Sequence, residues 1–504
     1  MRESFNAEKR IQLECQGRAP ELIGYMAMSI RLSPSLTRAI TFAARNMEGP
    51  IGSGLKRILW NVYMRKHHSV EDSFTATANE WGKANEDLKR ALFAVRSATL
   101  EATDEGRERS LDKAMDIVIS GTKKKMEEFA SSLSTPTTVL FALGILLPMI
   151  LGAMLPMVSL GGLDLSYRAE GSGTGGGIHP LLVVLLMDVV FPLAAFLYAF
   201  HILSGRPGVV SSIQIEHESN PRRWTVLLLV GIGMSVGVFG ILNLSTFGPY
   251  LIIWSAALPA SVYLISRTHR RKRERENILR MEEEFPDVLF QLGTRISEGA
   301  PPEKAVMETA RSLKGTLFGD LLHRAQHRMI VFGHTLERAF FGEAGLFADF
   351  PSQRIRATMR SFVEIAKKDS VKAGQLVIST SDHLQEIQRL DEDTKRNLRT
   401  STESMRMTSL LFAPIVMGVT FSLYSLLYET FTAMGQTEGM MSPSIFLIVL
   451  GVYVVLIAVV ATYFVTAIQK GPDRIERDYS IGIGLLISIV AYTISCLAGQ
   501  TLLT

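Results

Sequence analysis

Hydrophobic positions along this chain follow two regimes. In one, apolar residues recur every three or four positions among charged ones, the period of an amphipathic helix; in the other they run nearly uncharged for about 20 residues, enough to cross a hydrocarbon core of roughly 30 Å. Residues 1–136 belong to the first regime. Leu88, Leu92, Val95 and Thr99 follow an i, i+4, i+7, i+11 stripe, with Glu86, Lys89, Arg90 and Arg96 on the other faces, until Ser132 to Pro136 breaks the pattern. Seven apolar runs are then predicted to span a membrane: Thr138–Leu160, Pro180–Leu203, Trp224–Leu244, Thr246–Ser266, Ser409–Phe431, Ser444–Ile468 and Ile481–Leu503. The third and fourth form a tight pair, and the stretch 267–408 between the fourth and fifth returns to the helical, polar regime. The expected fold is therefore an all-α polytopic membrane protein with two helical bundles outside the bilayer. The expected domains are 1–136 (first bundle), 137–266 (four spans), 267–408 (second bundle) and 409–504 (three spans). Gly231, Gly233, Gly237 and Gly240 crowd one span, as where membrane helices pack closely.

Lysine and arginine in the short loops set the orientation. Loop 161–179 carries Arg168 alone, and neither loop 430–443 nor the turn near Asn243 carries any. Loop 204–223 carries Arg206, Arg222 and Arg223, and loop 469–479 carries Lys470, Arg474 and Arg477. These counts place both bundles on the cytoplasmic side of the cell membrane and the C-terminus outside. Arg270, Arg271, Lys272 and Arg273, just after the fourth span, are expected to anchor it against anionic headgroups.

The two bundles look like copies of one another. Glu282 to Val306 reads as a helix opened by acidic residues and Phe285-Pro286-Asp287, with an apolar face of Leu289, Leu292 and Ile296, a stop at Gly299 and a restart at Pro301-Pro302. At an offset of 266, Pro20, Ile30, Ala39, Ala44-Arg45, Gly49 and Leu55 repeat Pro286, Ile296, Ala305, Ala310-Arg311, Gly315 and Leu321. Leu140-Phe141-Ala142 matches Leu411-Phe412-Ala413 at 271 instead, which predicts a five-residue insertion near 342–350 of the second copy. Both bundles share one side of the membrane, so the repeat is parallel, unlike the inverted repeats of many transporters.

Candidate chemistry is sparse. The glycine run 171–177 is followed by Ile178-His179-Pro180, without the Lys-Ser/Thr of a phosphate loop. His323 and His327 are one turn apart, but Arg324 stands where a zinc hydrolase needs its glutamate. Cys15 and Cys496 offer neither a disulfide framework nor a metal cluster, the N-terminal stretch has no signal-peptide core, and a net charge of +4 spread over 504 residues does not point to nucleic acid. No enzyme activity, cofactor or metal is expected. Asp188 sits mid-span in an apolar run four residues before Pro192, where a carboxylate is expensive and serves either a helix contact, a hinge or ion coupling. Arg356, Arg360, Lys367 and Lys368 form a basic stretch read either as a solvated face or as a docking surface for an acidic partner.

Phe285-Pro286-x-x-Leu289-x-x-Leu292, Arg295-Ile296, Gly299-x-Pro301 and Ala305 resemble the F domain of type II secretion and type IV pilus systems. Two such domains with spans between and after them are similar to the archaeal branch of that family, which builds the archaellum and archaeal pili. The first copy departs from the motif, with Ser33 at the place of Gly299 and Tyr25 at that of Gln291. The resemblance implies two duplicated cytoplasmic F domains and a non-catalytic assembly platform. It implies as partners a hexameric secretion ATPase, docked through Arg356, Arg360, Lys367 and Lys368, pilin or archaellin-like subunits, the lipid bilayer and, by analogy, a second copy of the chain. The alternative class is a polytopic membrane transporter, which would call for inverted repeats and several intramembrane polar groups.

Overall fold

The computed structural model describes residues 17–47, 49–160, 183–203, 223–242, 247–343, 345–367, 369–434, 441–471 and 473–503. Among these there are helices and no strand. The glycine run 171–177, Cys15, Lys368 and most of loops 161–179 and 204–223 lie outside the described residues. The chain divides into two compact units. The polar unit includes residues 17–129 and 273–395; the apolar unit includes 130–160, 183–203, 223–242, 247–272 and most of 396–503.

In the polar unit the first repeat comprises α1 (Ala19–Leu32), α2 (Leu36–Asn46), α3 (Gly49–Tyr63), α4 (Val70–Gly82), α5 (Glu86–Ala98) and α6 (Asp104–Ser132). Side chains punctuate it: Ser35, Ser69 and Asn85 each accept a backbone N–H three residues on, satisfying donors that the first helical turn leaves free. Leu88, Leu92 and Val95 are buried as the stripe predicts, with Ala91 and Ala98 completing it. Thr99 instead terminates α5, its hydroxyl donating to the Arg96 carbonyl at 2.7 Å.

The second repeat is built from the end of α11 (Gly248–Ser297), α12 (Pro302–Ser312), α13 (Leu317–Phe332), α14 (Leu336–Phe341), α15 (Gln353–Ala366) and α16 (Ser370–Met407). Its core gathers Phe285, Phe318, Phe340, Phe347 and Phe362, with the Phe285 and Phe318 rings 5.3 Å apart. The N-caps Ser69 and Thr335, and the first residues of α6 and α16, all stand 266 apart. Gly49 and Gly315 take left-handed φ values of 81° and 97° at matching turns.

One expectation about the motif is corrected. Glu282 to Asp287 does not open a helix but lies well inside the 50-residue α11. An interior proline removes a backbone donor and orphans the carbonyl four residues earlier, here that of Glu282. Gln388 Nε2 on α16 donates to that carbonyl at 2.7 Å, and Ser381 Oγ donates to the Pro286 carbonyl at 2.7 Å. The neighbouring helix thus supplies what the proline withholds, and α11 passes through without a break. Likewise Ser132 to Pro136 interrupts the helical run only at Leu133, because Pro136 falls in the first turn of α7 (Ser134–Phe141), where its missing N–H costs nothing.

Six described helical segments are long and apolar enough to cross a membrane, within Asp104–Gly152, Leu185–Leu203, Gly248–Ser297, Thr402–Ala433, Pro443–Lys470 and Arg474–Leu502. The predicted third span falls on the 20-residue helix α10 (Arg223–Leu242), of which the described apolar stretch is Gly231–Leu242. This is an all-α, multi-pass membrane protein. In the apolar unit α10 packs on α11 through glycine: a Cβ on Gly233 would meet the Ser255 carbonyl at 2.7 Å, and one on Gly240 the Gly248 carbonyl at 2.9 Å. Gly231, by contrast, faces open space.

Among the described residues three π-helical turns interrupt the spans, at Ala142–Leu146, Leu185–Val190 and Thr408–Phe412. Each ends two residues before a proline: Pro148 in α8 (Leu147–Leu160), Pro192 in α9 (Phe191–Leu203) and Pro414 in α17 (Ala413–Ala433). Widening the helix by one residue makes room for the pyrrolidine ring against the preceding turn. Pro148 orphans the Gly144 carbonyl, and Tyr453 on α18 (Pro443–Lys470) donates its hydroxyl there. The π turns at 142–146 and 408–412, Pro148 and Pro414, and Gly152 and Gly418 all keep the 266 offset. The expected shift to 271 and the insertion near 342–350 are therefore withdrawn.

Candidate functional site

An open cleft of about 1590 Å³ lies between the two repeats of the polar unit. One wall is α2 with the start of α6; the other is α15 with the start of α16. On α2, Arg38, Thr41 and Arg45 share a face at i, i+3 and i+7; on α15, Arg356 and Arg360 share one at i, i+4. Phe42, Ile365 and Leu376 supply apolar lining. Eight basic residues line the cleft against five acidic ones.

The basic groups differ in what they already hold. Arg31 is spent: its guanidinium donates to Glu108 at 2.8 Å and Asp112 at 3.0 Å and is almost wholly buried. Arg107 pairs with Asp104 at 2.7 Å, yet its Nε is buried without a partner. Arg38 donates only to the Ser33 hydroxyl, at 3.1 Å, and Arg360 lies over the Phe341 ring at 5.1 Å. Among the described residues the guanidinium groups of Arg45 and Arg356 have no hydrogen-bond or ion partner. Four arginines on facing walls therefore present guanidinium groups with no carboxylate attached.

Behind the cleft the repeats meet through a polar network that the sequence reading missed. A small adjoining cavity is lined by Glu21, Tyr25, Arg31, Arg354 and His383. Glu21 accepts from Arg18 at 3.0 Å and from the Tyr25 hydroxyl at 3.4 Å, and Glu282 accepts from Ser352. Burial and the Glu21 charge both push the Tyr25 phenol above its ordinary range. Burial works against the charge on Arg354, but the Glu282 and Glu21 carboxylates more than reverse it, and its guanidinium is held more basic than usual. Arg354, Thr358 and Ser361 share one polar yet covered face of α15, and that periodicity was the available signal.

His383 closes the network, with Nε2 at 3.1 Å from an Arg31 nitrogen and 3.7 Å from an Asp112 oxygen. Burial first, then the Arg31 charge, depresses its pKa to about 4. The unfolded chain, with a histidine near 6.5, takes up the proton first as pH falls. The contribution to stability is thus fully present above about pH 6.5 and is lost on acidification toward 4. Between about pH 7 and 5 the loss is expected to be about 2 kcal/mol. Hydrogen exchange of α1 and α16 amides checks this; a slope that persists in His383→Gln places the titration elsewhere.

The remaining singled-out residues are dispersed. Lys367 leaves the cleft and pairs with Glu337. Of the basic anchor, Lys272 turns inward, 3.4 Å from Glu476 and 3.8 Å above the Tyr479 ring, and the Nε of Arg271 is buried without a partner. Arg270 and Arg273 lie on the same helix, α11. Asp188 lies in the second π turn with one carboxylate oxygen buried and unpartnered, within electrostatic reach of Tyr453. Phe285 and Pro286 are core, Gly299 takes φ 97° where the chain turns, and Pro301 caps α12. The Nε2 of His323 is buried without a partner, and His327 meets the Phe332 ring edge-on. Among the described residues no group of three or more His, Cys, Asp or Glu is arranged to hold a metal. No family model, curated protein or solved structure matches the chain.

Proposed function

We propose that this chain is a non-catalytic assembly platform in the cytoplasmic membrane, of the kind that serves archaellum or archaeal pilus filaments. In this reading a hexameric secretion ATPase docks on the polar unit, and its motion is passed to pilin-like subunits at the apolar unit. The two repeats lie in the cytoplasm and the C-terminus outside. The carrying observation is the repeat itself: bundle helices, caps, left-handed glycines and the π turn with its proline recur at one offset of 266. Each bundle thus comes with the same first span, as a part that works in duplicate on one side of a bilayer would. Within α16, helical backbone runs from Ser370 to Met407 and on into the π turn at Thr408, so the chain offers no loose linker at this point. A push on α16 would reach the span as a rotation or a shift of the helix.

The test uses the full chain in detergent with a hexameric secretion ATPase from the same genome. Co-purification that is lost on reversing Arg356 and Arg360 to Glu is the expected result. No association even at low salt, where electrostatic docking is strongest, would sink the platform reading.

A further inference from the structure

We propose that the cleft between the repeats is a binding groove for an acidic amphipathic helix of a partner protein, which contacts both repeats at once. The platform reading is needed only to say that the ATPase brings this helix; the ligand class follows from the cleft. At about 1590 Å³ the space exceeds what a small ligand fills and suits an extended segment. Its guanidinium groups stand at helical spacings, Arg38 and Arg45 on one wall and Arg356 and Arg360 on the other. Arginine pairs bidentately with carboxylates, and these four hold none. Phe42, Ile365 and Leu376 offer an apolar lining, so the fitting ligand carries carboxylates along its flanks and an aliphatic stripe along its base. A bare phosphate compound would leave that lining wet.

The two walls belong to different repeats, so an occupant ties α2 to α15. Behind the cleft, Arg31 of the first repeat approaches His383 of the second at 3.1 Å, and the Arg354 charge offsets carboxylates of both repeats, so the repeats already meet without a ligand. Occupancy of the groove therefore adds to an existing contact between repeats and favours one mutual setting of the two bundles.

The probe is a fluorescent peptide of about 20 residues, one helix some 30 Å long, with glutamates on two faces and leucines on the third. It is titrated into the full chain in detergent, beside a scrambled peptide of the same composition and beside pyrophosphate as competitor. One peptide per chain should bind, and binding should collapse at about 0.5 M salt, where charges are screened within a few ångström. Arg45→Glu and Arg356→Glu should each weaken it about tenfold. Lys314→Glu, outside the cleft, should leave it unchanged. Both reversed arginines carry no internal pair, so the fold does not depend on them, and an unchanged melting curve confirms this. Equal binding of the scrambled peptide, indifference to both reversals, or displacement by pyrophosphate at comparable concentration would each overturn the proposal. If the helical peptide binds as expected but no secretion ATPase co-purifies with the chain, the platform reading fails and the groove's ligand class stands.

Discussion

Arg354→Met is expected to cost about 3 kcal/mol and to loosen the contact between the two repeats while leaving each bundle's own core intact. Removing one partner of a buried ion cluster leaves the others charged and uncompensated, which typically costs about 3–5 kcal/mol. The lower figure applies here because Glu21 keeps Arg18 and Glu282 keeps the Ser352 hydroxyl. The Arg354 charge that offsets both carboxylates would nonetheless be gone. Hydrogen exchange should rise in α1 and in residues 282–290, and less in α4 and α5, which lie outside that cluster. Neutralising Glu282 as well, in Arg354→Met/Glu282→Gln, should recover part of the loss, since one of the two carboxylates left uncompensated is then gone. If exchange in α1 is unchanged in the single variant, the cluster does not hold the repeats together.

The sequence exposed the parts of this architecture that depend on local chemistry. Uninterrupted apolar runs marked the spans, the charged–apolar stripe of residues 88–95 marked a buried helix face, and Gly299 marked a true turn. The repeat was legible because Pro20, Ile30, Ala39 and Gly49 keep their roles in core and turn, where substitution is costly. What escaped were effects settled by residues far along the chain. Pro286 reads as the start of a helix because no local signal announces that Gln388, about a hundred residues later, will satisfy the Glu282 carbonyl. The match of Leu140-Phe141-Ala142 with Leu411-Phe412-Ala413 misled for the opposite reason. Such residues are common in any span, whereas Pro148 with Pro414 and Gly152 with Gly418 mark positions where the backbone itself is constrained. The basic stretch of α15 was visible as charge, but its division between an internal role for Arg354 and a cleft-facing role for Arg356 and Arg360 requires the neighbouring helices.

Gly374→Val should force α11 and α16 apart, at a cost of about 3 kcal/mol or more. At Gly374 the first turns of α16 run against the last turns of α11. A Cβ there would come within 2.8 Å of the Ser297 nitrogen and 2.9 Å of the Gly293 carbonyl oxygen, and one on Gly293 would meet the Gly374 carbonyl at 2.9 Å. These are backbone atoms of packed helices, so no flexible side chain can give way, and overpacking is relieved only by parting the helices. Parting them has a second cost. The Gln385 bond to Asp287 at 3.3 Å, the Ser381 bond to the Pro286 carbonyl and the Gln388 bond to the Glu282 carbonyl all cross the same seam. With the seam opened, the carbonyl orphaned by Pro286 loses its donor, and an unsatisfied buried group adds about 1–3 kcal/mol. Gly374→Ala should show a milder form of the same defect. Gly333→Ala, at φ 62° with nothing within 4 Å, should cost only about 1 kcal/mol, from backbone strain alone. Hydrogen exchange across 282–297 and 370–390 distinguishes the two mechanisms: exchange there must rise in both Gly374 variants and stay at the wild-type level in Gly333→Ala. Protection unchanged in Gly374→Val would mean that the two helices are not held in backbone contact at this crossing.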